Sequence, residues 1–362
     1  MKKIFYSILI FLLILLNFST VCADDVDNEV DFEDTIEVTA SNVSELPKTN
    51  SRRYIVYDRI SKSMIIGKNE DVKSAMASTT KIMTTIVILE KADLNEKVTV
   101  SAKAGGTGGS RLGLKRGDKT SVRDLLYGLM LRSGNDAAVA LAEHVGGSVK
   151  GFAELMNEKA IELGLTNTHF VTPHGLDDAN HYTTALELAK LTDYAMNNET
   201  FVKIVGTKST TIYINNQSRQ INNTNELLGV LNGVVGVKTG FTNNAGRCLV
   251  TETKRNNMDI ITIVLGADTK KDRTKDSVNL IEYTFSKYKM YNLEERIIEE
   301  FNKWKNINEK RILITKGKQN NPKLALGAIE KATIPICDND KIEYSINALT
   351  EVEAPVEQWN VM

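Results

Sequence analysis

Ser78 and Lys81 stand three residues apart in MASTTKIMTTIVILE, residues 76–90, at the front of an otherwise apolar run. That spacing puts a hydroxyl and an ammonium on one face of a helix, one above the other. Two readings compete. Ser78 caps a helix whose lysine snorkels to water, or Ser78 is a nucleophile with its base beside it. The second has coherent physics: N–H groups at a helix N-terminus, with the positive end of its dipole, aim where an oxyanion forms when a serine attacks a carbonyl. Lys81 must be neutral to take the proton, and burial or a second cation pushes a lysine pKa down.

Spacing alone decides little, because S-x-x-K recurs at Ser286–Lys289 on a polar helix tail, and S-x-N occurs at Ser133–Asn135, Ser277–Asn279 and Ser345–Asn347. Context selects one set. Ser78 and Lys81 open an apolar helix, Ser133 and Asn135 sit in a turn between two helices, and Lys238-Thr239-Gly240, the one K-T-G here, ends an apolar strand. Lys238 is a candidate for the second cation. Ser133 is placed to pass a proton to a leaving amine, and Asn135 to hold Lys81 and a substrate amide. Thr239 and Lys238 suit a substrate carboxylate. Gly240 leaves room for a substrate backbone along the strand.

These groups need regular elements to hold them. YIVYD and SMIIG predict a β-hairpin, followed by a helix from Ser78 to about Glu90. The glycines at 105, 106, 108 and 109 predict an irregular stretch. Helices follow in SVRDLLYGLMLR, in DAAVALAEHV up to Gly146-Gly147, and from about Val149 to Leu163, opened by Ser148 and closed by Gly164. Thr184 with Glu187 reads as a capping box for a helix to about Met196. After residue 200 the runs FVKIVG, STTIYIN, VVGVKTG, CLVTETKR and MDIITIVLGA read as strands, with a turn at Asn256-Asn257, and a helix spans about Asp272 to Tyr288. Helices followed by hairpin-linked strands predict an α+β fold, an antiparallel sheet with helices packed on it.

The 362 residues, 42% hydrophobic and 25% charged with net charge −1, fit a globular chain of two domains and supply no field for nucleic acid. Lys2 and Lys3, an apolar run from Ile4 to Phe18 and Val21-Cys22-Ala23 read as an export signal over residues 1–23, cleaved before Asp24, with a retained anchor as the alternative. Residues 24–50 form an acidic flexible leader, 51–290 the catalytic domain, and 291–362 a small β-rich domain. Cys248 and Cys337 make neither a disulfide framework nor a metal pair. His144, His169, His174 and His181 match no zinc spacing and read as turn residues with local hydrogen bonds, so no metal or organic cofactor is expected.

In order and in sequence context the three motifs resemble the D-alanyl-D-alanine carboxypeptidases, low-molecular-mass penicillin-binding proteins of serine peptidase family S11. The runs ASTTKIMT, GGSRLGL, LRSGNDAAVALAE, FVTPHGLDDANHYTTALELAKL and GVKTGFTNNAGRCLV carry the resemblance across about residues 52–290. It implies a helical cluster on a five-stranded antiparallel sheet, Ser78 as acylated nucleophile, Lys81 as general base, and Ser133 and Asn135 as the second motif. Lys238, Thr239 and Gly240 line the substrate strand, the N–H groups of Ser78 and Phe241 form the oxyanion hole, and Arg273 helps bind the terminal carboxylate. The implied substrate is the peptidoglycan stem peptide, with β-lactams as covalent inhibitors. THFVTPHGL lacks the glutamate of a class A β-lactamase, so β-lactams should leave slowly. A D,D-endopeptidase, a β-lactamase and a non-catalytic cell-wall-binding or β-lactam-sensing protein remain as alternatives. The C-terminal region departs from the family, ending in QWNVM without the amphipathic helix expected to anchor it to a membrane.

Overall fold

The computed structural model describes residues 46–288. The chain divides after residue 290, and all described residues belong to the first unit. The expected signal, most of the leader, and the C-terminal domain from 291 lie outside the described residues.

Strand β1 (Arg53–Asp58) turns into β2 (Ser63–Lys68), as the hairpin pattern predicts. Three long strands, β7 (Val234–Thr242), β8 (Gly246–Arg255) and β9 (Met258–Ala267), complete an antiparallel sheet of order β2-β1-β9-β8-β7. The β8–β9 turn uses Asn256 and Asn257, both with positive φ (50° and 62°), which asparagine tolerates better than most residues. β9 reads as a continuous apolar run because both its faces are covered. Ile261, Ile263 and Leu265 pack into the main core with the helical cluster, whereas Ile260 and Val264 pack with Leu280 of the last helix, α8 (Lys270–Lys287).

The helical cluster starts with a 3₁₀ turn (Ala77–Thr80) running into α1 (Lys81–Lys91). Next come a single turn, α2 (Ala102–Gly105), which ends at the first glycine of the stretch expected to be irregular, and then α3 (Val122–Leu131) and α4 (Asn135–Gly146). α5 (Val149–Glu162) is capped by Ser148, whose side chain accepts from Gly151 N, and Gly164 after it adopts φ +68°. α6 (Ala185–Ala195) starts at Thr184, which accepts from Glu187 N. The expected box is one-sided, because the Glu187 carboxylate takes Asn167 N (2.9 Å) and the Thr168 hydroxyl instead.

FVKIVG is a helix, not the strand its β-branched composition suggests. Asn198 caps α7 (Glu199–Val205) by accepting from Phe201 N, and Phe201, Ile204 and Val205 are buried at i, i+3 and i+4. A second antiparallel sheet, β3 (Lys97–Thr99), β4 (Lys119–Ser121), β5 (Ser209–Ile214) and β6 (Gln217–Asn222), has strands too short or too polar, apart from β5, to stand out by alternation.

Candidate active site

Among the described residues β7 forms one edge of the large sheet and pairs with β8 alone. The 3₁₀ turn packs against β7 so closely that a Cβ on Gly240 would sit 3.0 Å from Ser78 N and 3.2 Å from Ala77 Cβ. Only a glycine permits that approach without a shift. Ser78 is half-buried between fully buried neighbours, leaving its hydroxyl within reach of the cleft. It is not a helix cap: Met76 precedes the turn and no side chain caps it. The turn is tightened by its threonines, Thr79 Oγ1 donating to Met76 O (2.6 Å) and Thr80 Oγ1 to Ala77 O (2.8 Å). Ala77 has φ +49°, a left-handed conformation that costs a non-glycine residue about 1–2 kcal/mol unless its surroundings enforce it.

The Lys81 side chain is wholly buried. Its Nζ lies 2.7 Å from Ser78 Oγ, 2.8 Å from Asn135 Oδ1 and 3.0 Å from the His174 carbonyl. A hydroxyl at that distance can give its proton to the amine once the amine is neutral. Asn135 opens α4; its own N–H donates to Ser110 O (2.7 Å) and its Nδ2 to Gly108 O (2.8 Å). Two residues earlier, Ser133 is buried in the α3–α4 turn with φ +58°. Lys238 and Thr239 are buried beside Gly240, with Lys238 Nζ 3.0 Å from the Thr239 carbonyl and Thr239 Oγ1 2.8 Å from Thr224 Oγ1. Phe241 follows, opposite Arg247 in β8, whose guanidinium stacks 3.9 Å from its ring centroid.

Arg273 lies in the first turn of α8, fully buried, with Nη2 on Glu226 Oε1. Burial alone would raise the Glu226 carboxyl, but Arg273 and the Thr274 hydroxyl outweigh it and hold it below its usual value. Thus Ser78, Lys81 and Asn135 meet by direct hydrogen bonds and Gly240 by backbone contact, whereas Arg273 is engaged by a carboxylate two residues beyond Thr224.

Sequence reasoning missed the strap over residues 171–176. Thr84 Oγ1 donates to Pro173 O (2.7 Å) and Lys81 Nζ to His174 O, so the strap runs along α1. Gly175, φ +85°, has its Cα against the Ala77 carbonyl and the Thr80 hydroxyl, leaving no room for a Cβ. His181 Nδ1 accepts from Val171 N (3.0 Å), leaving Nε2–H to donate to Thr80 Oγ1 (2.8 Å). Burial pushes His181 down to about 4; burial together with Lys81 pushes His174 down to about 3, so both rings are neutral near pH 7. The signal in sequence was Pro-His-Gly, a turn string whose glycine has a packing reason. Among the described residues no group of three or more His, Cys, Asp or Glu side chains is placed to hold a metal.

An edge strand carrying K-T-G, a buried lysine on a serine in a tight turn, and a helical cluster against an antiparallel sheet define a serine acyl-transfer enzyme of the penicillin-binding type. The S11 peptidase profile, D-alanyl-D-alanine carboxypeptidase, matches residues 39–269, and the chain belongs to that family. It is 33% identical over 311 residues to the D-alanyl-D-alanine carboxypeptidase DacF of Bacillus subtilis, covering 84% of this chain and 78% of that one. It is 38% identical over 270 residues to DacC of Escherichia coli, covering 68% and 64%. Among solved structures, the Streptomyces K15 DD-transpeptidase superposes with a TM-score of 0.63 at 34% identity, covering 67% of this chain and 99% of that one.

Proposed function

We propose that this carboxypeptidase removes the terminal D-alanine of peptidoglycan stem pentapeptides through an acyl-enzyme on Ser78. The observation that carries the reading is the buried Lys81 amine 2.7 Å from Ser78 Oγ and held by Asn135. With the amine neutral, Ser78 Oγ attacks the carbonyl carbon of the penultimate D-alanine and its proton passes to Lys81 Nζ. The oxyanion lies between the N–H groups of Ser78 and Phe241, which the contact of Gly240 with Ser78 N favours. Collapse of the tetrahedral adduct breaks the peptide C–N bond, and Ser133 relays the proton to the departing amine. Free D-alanine leaves. Water then attacks the ester and gives its proton to Lys81 Nζ, which returns it to Ser78 Oγ as the acyl C–O bond breaks.

Lys238 and Thr239 face the substrate's terminal carboxylate, and the peptide lies along the open edge of β7 as an added strand. Arg273 joins that carboxylate site only if it leaves Glu226 or shares it. β-Lactams enter by the same attack and leave slowly, since the strap beside Lys81 offers the His174 carbonyl there and no carboxylate. The enzyme works outside the cytoplasm, delivered by the signal over residues 1–23, which suits a cell-wall substrate.

The test is release of D-alanine from a pentapeptide. Wild type yields free D-alanine and tetrapeptide, and Ser78→Ala yields neither. Turnover by Ser78→Ala at the wild-type rate would overturn the assignment. Cleavage of a cross-linked dimer in preference to the pentapeptide would assign the endopeptidase reaction instead.

A further inference from the structure

Next to the segments that carry Ser110 and Ser133 lies a half-open surface pocket of about 200 Å³ lined by three arginines, exposed Arg111 and Arg219 and half-buried Arg132, together with Gln220 and Asn222. None of its lining residues is acidic, and among the described residues none of the three guanidinium groups forms an ion pair. The buried Asp136 carboxylate is otherwise committed: it accepts from the N–H groups of Leu112 (2.9 Å), Gly113 (2.8 Å) and Leu114 (2.9 Å). Arg219 Nη1 donates to the Leu112 carbonyl, which ties its side chain to the residue that follows Arg111. Three like charges around one small space repel one another, and an anion placed among them removes that cost.

Each wall of this cavity continues into the catalytic constellation. Arg132 precedes Ser133, Arg111 follows Ser110, whose carbonyl accepts the Asn135 N–H, and β6 leads through Asn223 to Thr224, bonded to Thr239. A peptide on β7 places only its last two residues at Ser78, and its remainder leaves the cleft past bordering segments. Residues 108–112 and 132–135 are two of those borders. We propose that the three-arginine cavity is an anion subsite for a carboxylate carried by the substrate peptide upstream of the scissile D-Ala–D-Ala bond. Guanidinium forks match carboxylates bidentately, and the cavity has room for one side-chain-sized group but not for a drug-sized ligand, which needs roughly 300 Å³ or more. The inference rests on the function proposed above.

Two pentapeptides ending in D-Ala-D-Ala, identical except for an upstream carboxylate or carboxamide, test it on the full-length enzyme. Wild type should favour the carboxylate by about tenfold in kcat/KM, mainly through KM, and Arg111→Gln/Arg219→Gln should reduce that ratio to about one. Turnover of the carboxamide peptide and penicillin acylation should be the same in both enzymes, which shows that the variant is folded and the cleft intact. An equal carboxylate preference in wild type and variant, or none in either, overturns the subsite. If inorganic phosphate inhibits wild type but not the variant while the peptide ratio stays unchanged, the cavity binds phosphate and the substrate assignment is wrong. Failure of wild type to release D-alanine from either peptide instead contradicts the proposed function.

Discussion

Lys81 is costly to bury, and the acceptors around its amine define what it is for. A fully desolvated ammonium is tolerated only with its hydrogen bonds made, and one of its partners is the hydroxyl to be activated. Lys81→Met should therefore lower the rate of acylation by about 10²–10⁴, the usual worth of a general base. Stopped-flow labelling with a fluorescent penicillin measures it, with circular dichroism to confirm that the fold persists. An acylation rate within threefold of wild type would remove Lys81 from the mechanism. The side-chain members of the site were readable in sequence because hydroxyl, amine and amide at fixed spacing are rare in the right order. The backbone members, the carbonyls of His174 and Gly108, were not, since every residue offers a carbonyl and only the fold selects among them.

At the scale of elements, the nucleophile turn is held from behind by the strap. His181 Nε2–H, the Thr80 hydroxyl and the Ala77 carbonyl form a chain of hydrogen bonds that ends one residue before Ser78. His181→Phe and Thr80→Val break the same chain, so each should lower kcat with little change in KM. The double variant should cost about as much as either single one, because linked residues are not additive. Initial-rate kinetics on a D-Ala-D-Ala peptide decide it, and fully additive losses would mean the two act separately. Gly175→Ala should be worse than either, since its Cβ would meet the Ala77 carbonyl at a backbone φ of +85°. Loss of most penicillin labelling is the expected outcome, and labelling at the wild-type rate would contradict the packing role. Of the elements, the long apolar strands and capped helices were legible. α7 was not, because Phe, Val and Ile in FVKIVG suggest a strand until the burial of Phe201, Ile204 and Val205 reveals a helical period. β3 and β4, three residues each, are too short to show alternation.

Across the whole catalytic unit, Arg59 ties the end of β1 to α6, β8 and β9. Its guanidinium bonds Asp193 (3.0 Å), Glu252 (2.5 Å), Asp259 (2.8 Å) and Asn197 (3.0 Å), with Lys62 and Lys254 at the margin. Burial, then the neighbouring Asp259, pushes the Glu252 carboxyl up to about 7 from 4.5. The folded state thus holds this proton more tightly than the unfolded chain. Its contribution is full below about pH 4.5 and is lost as pH rises through about 7. Buried His174 and His181, pushed down from 6.5 to about 3 and about 4, act oppositely: their contribution is present above pH 6.5 and is lost as pH falls toward 4 and 3. Denaturation midpoints measured from pH 3 to 8 should show an acid loss in wild type, and Glu252→Gln should remove the decline between about pH 4.5 and 7. An unchanged profile in that variant would contradict the assignment. The α+β architecture was legible from the order of helices and strands. This buried charge cluster was not, because its members lie just after β1 and on α6, β8 and β9 and meet only when the sheet assembles.

The most direct test of the account is mass spectrometry of the peptide that carries the label after reaction with a fluorescent penicillin. The label should fall on Ser78, disappear in Ser78→Ala and form far more slowly in Lys81→Met. A label on another peptide, or one that survives Ser78→Ala, would contradict the central claim that Ser78, activated by Lys81, is the acylated residue.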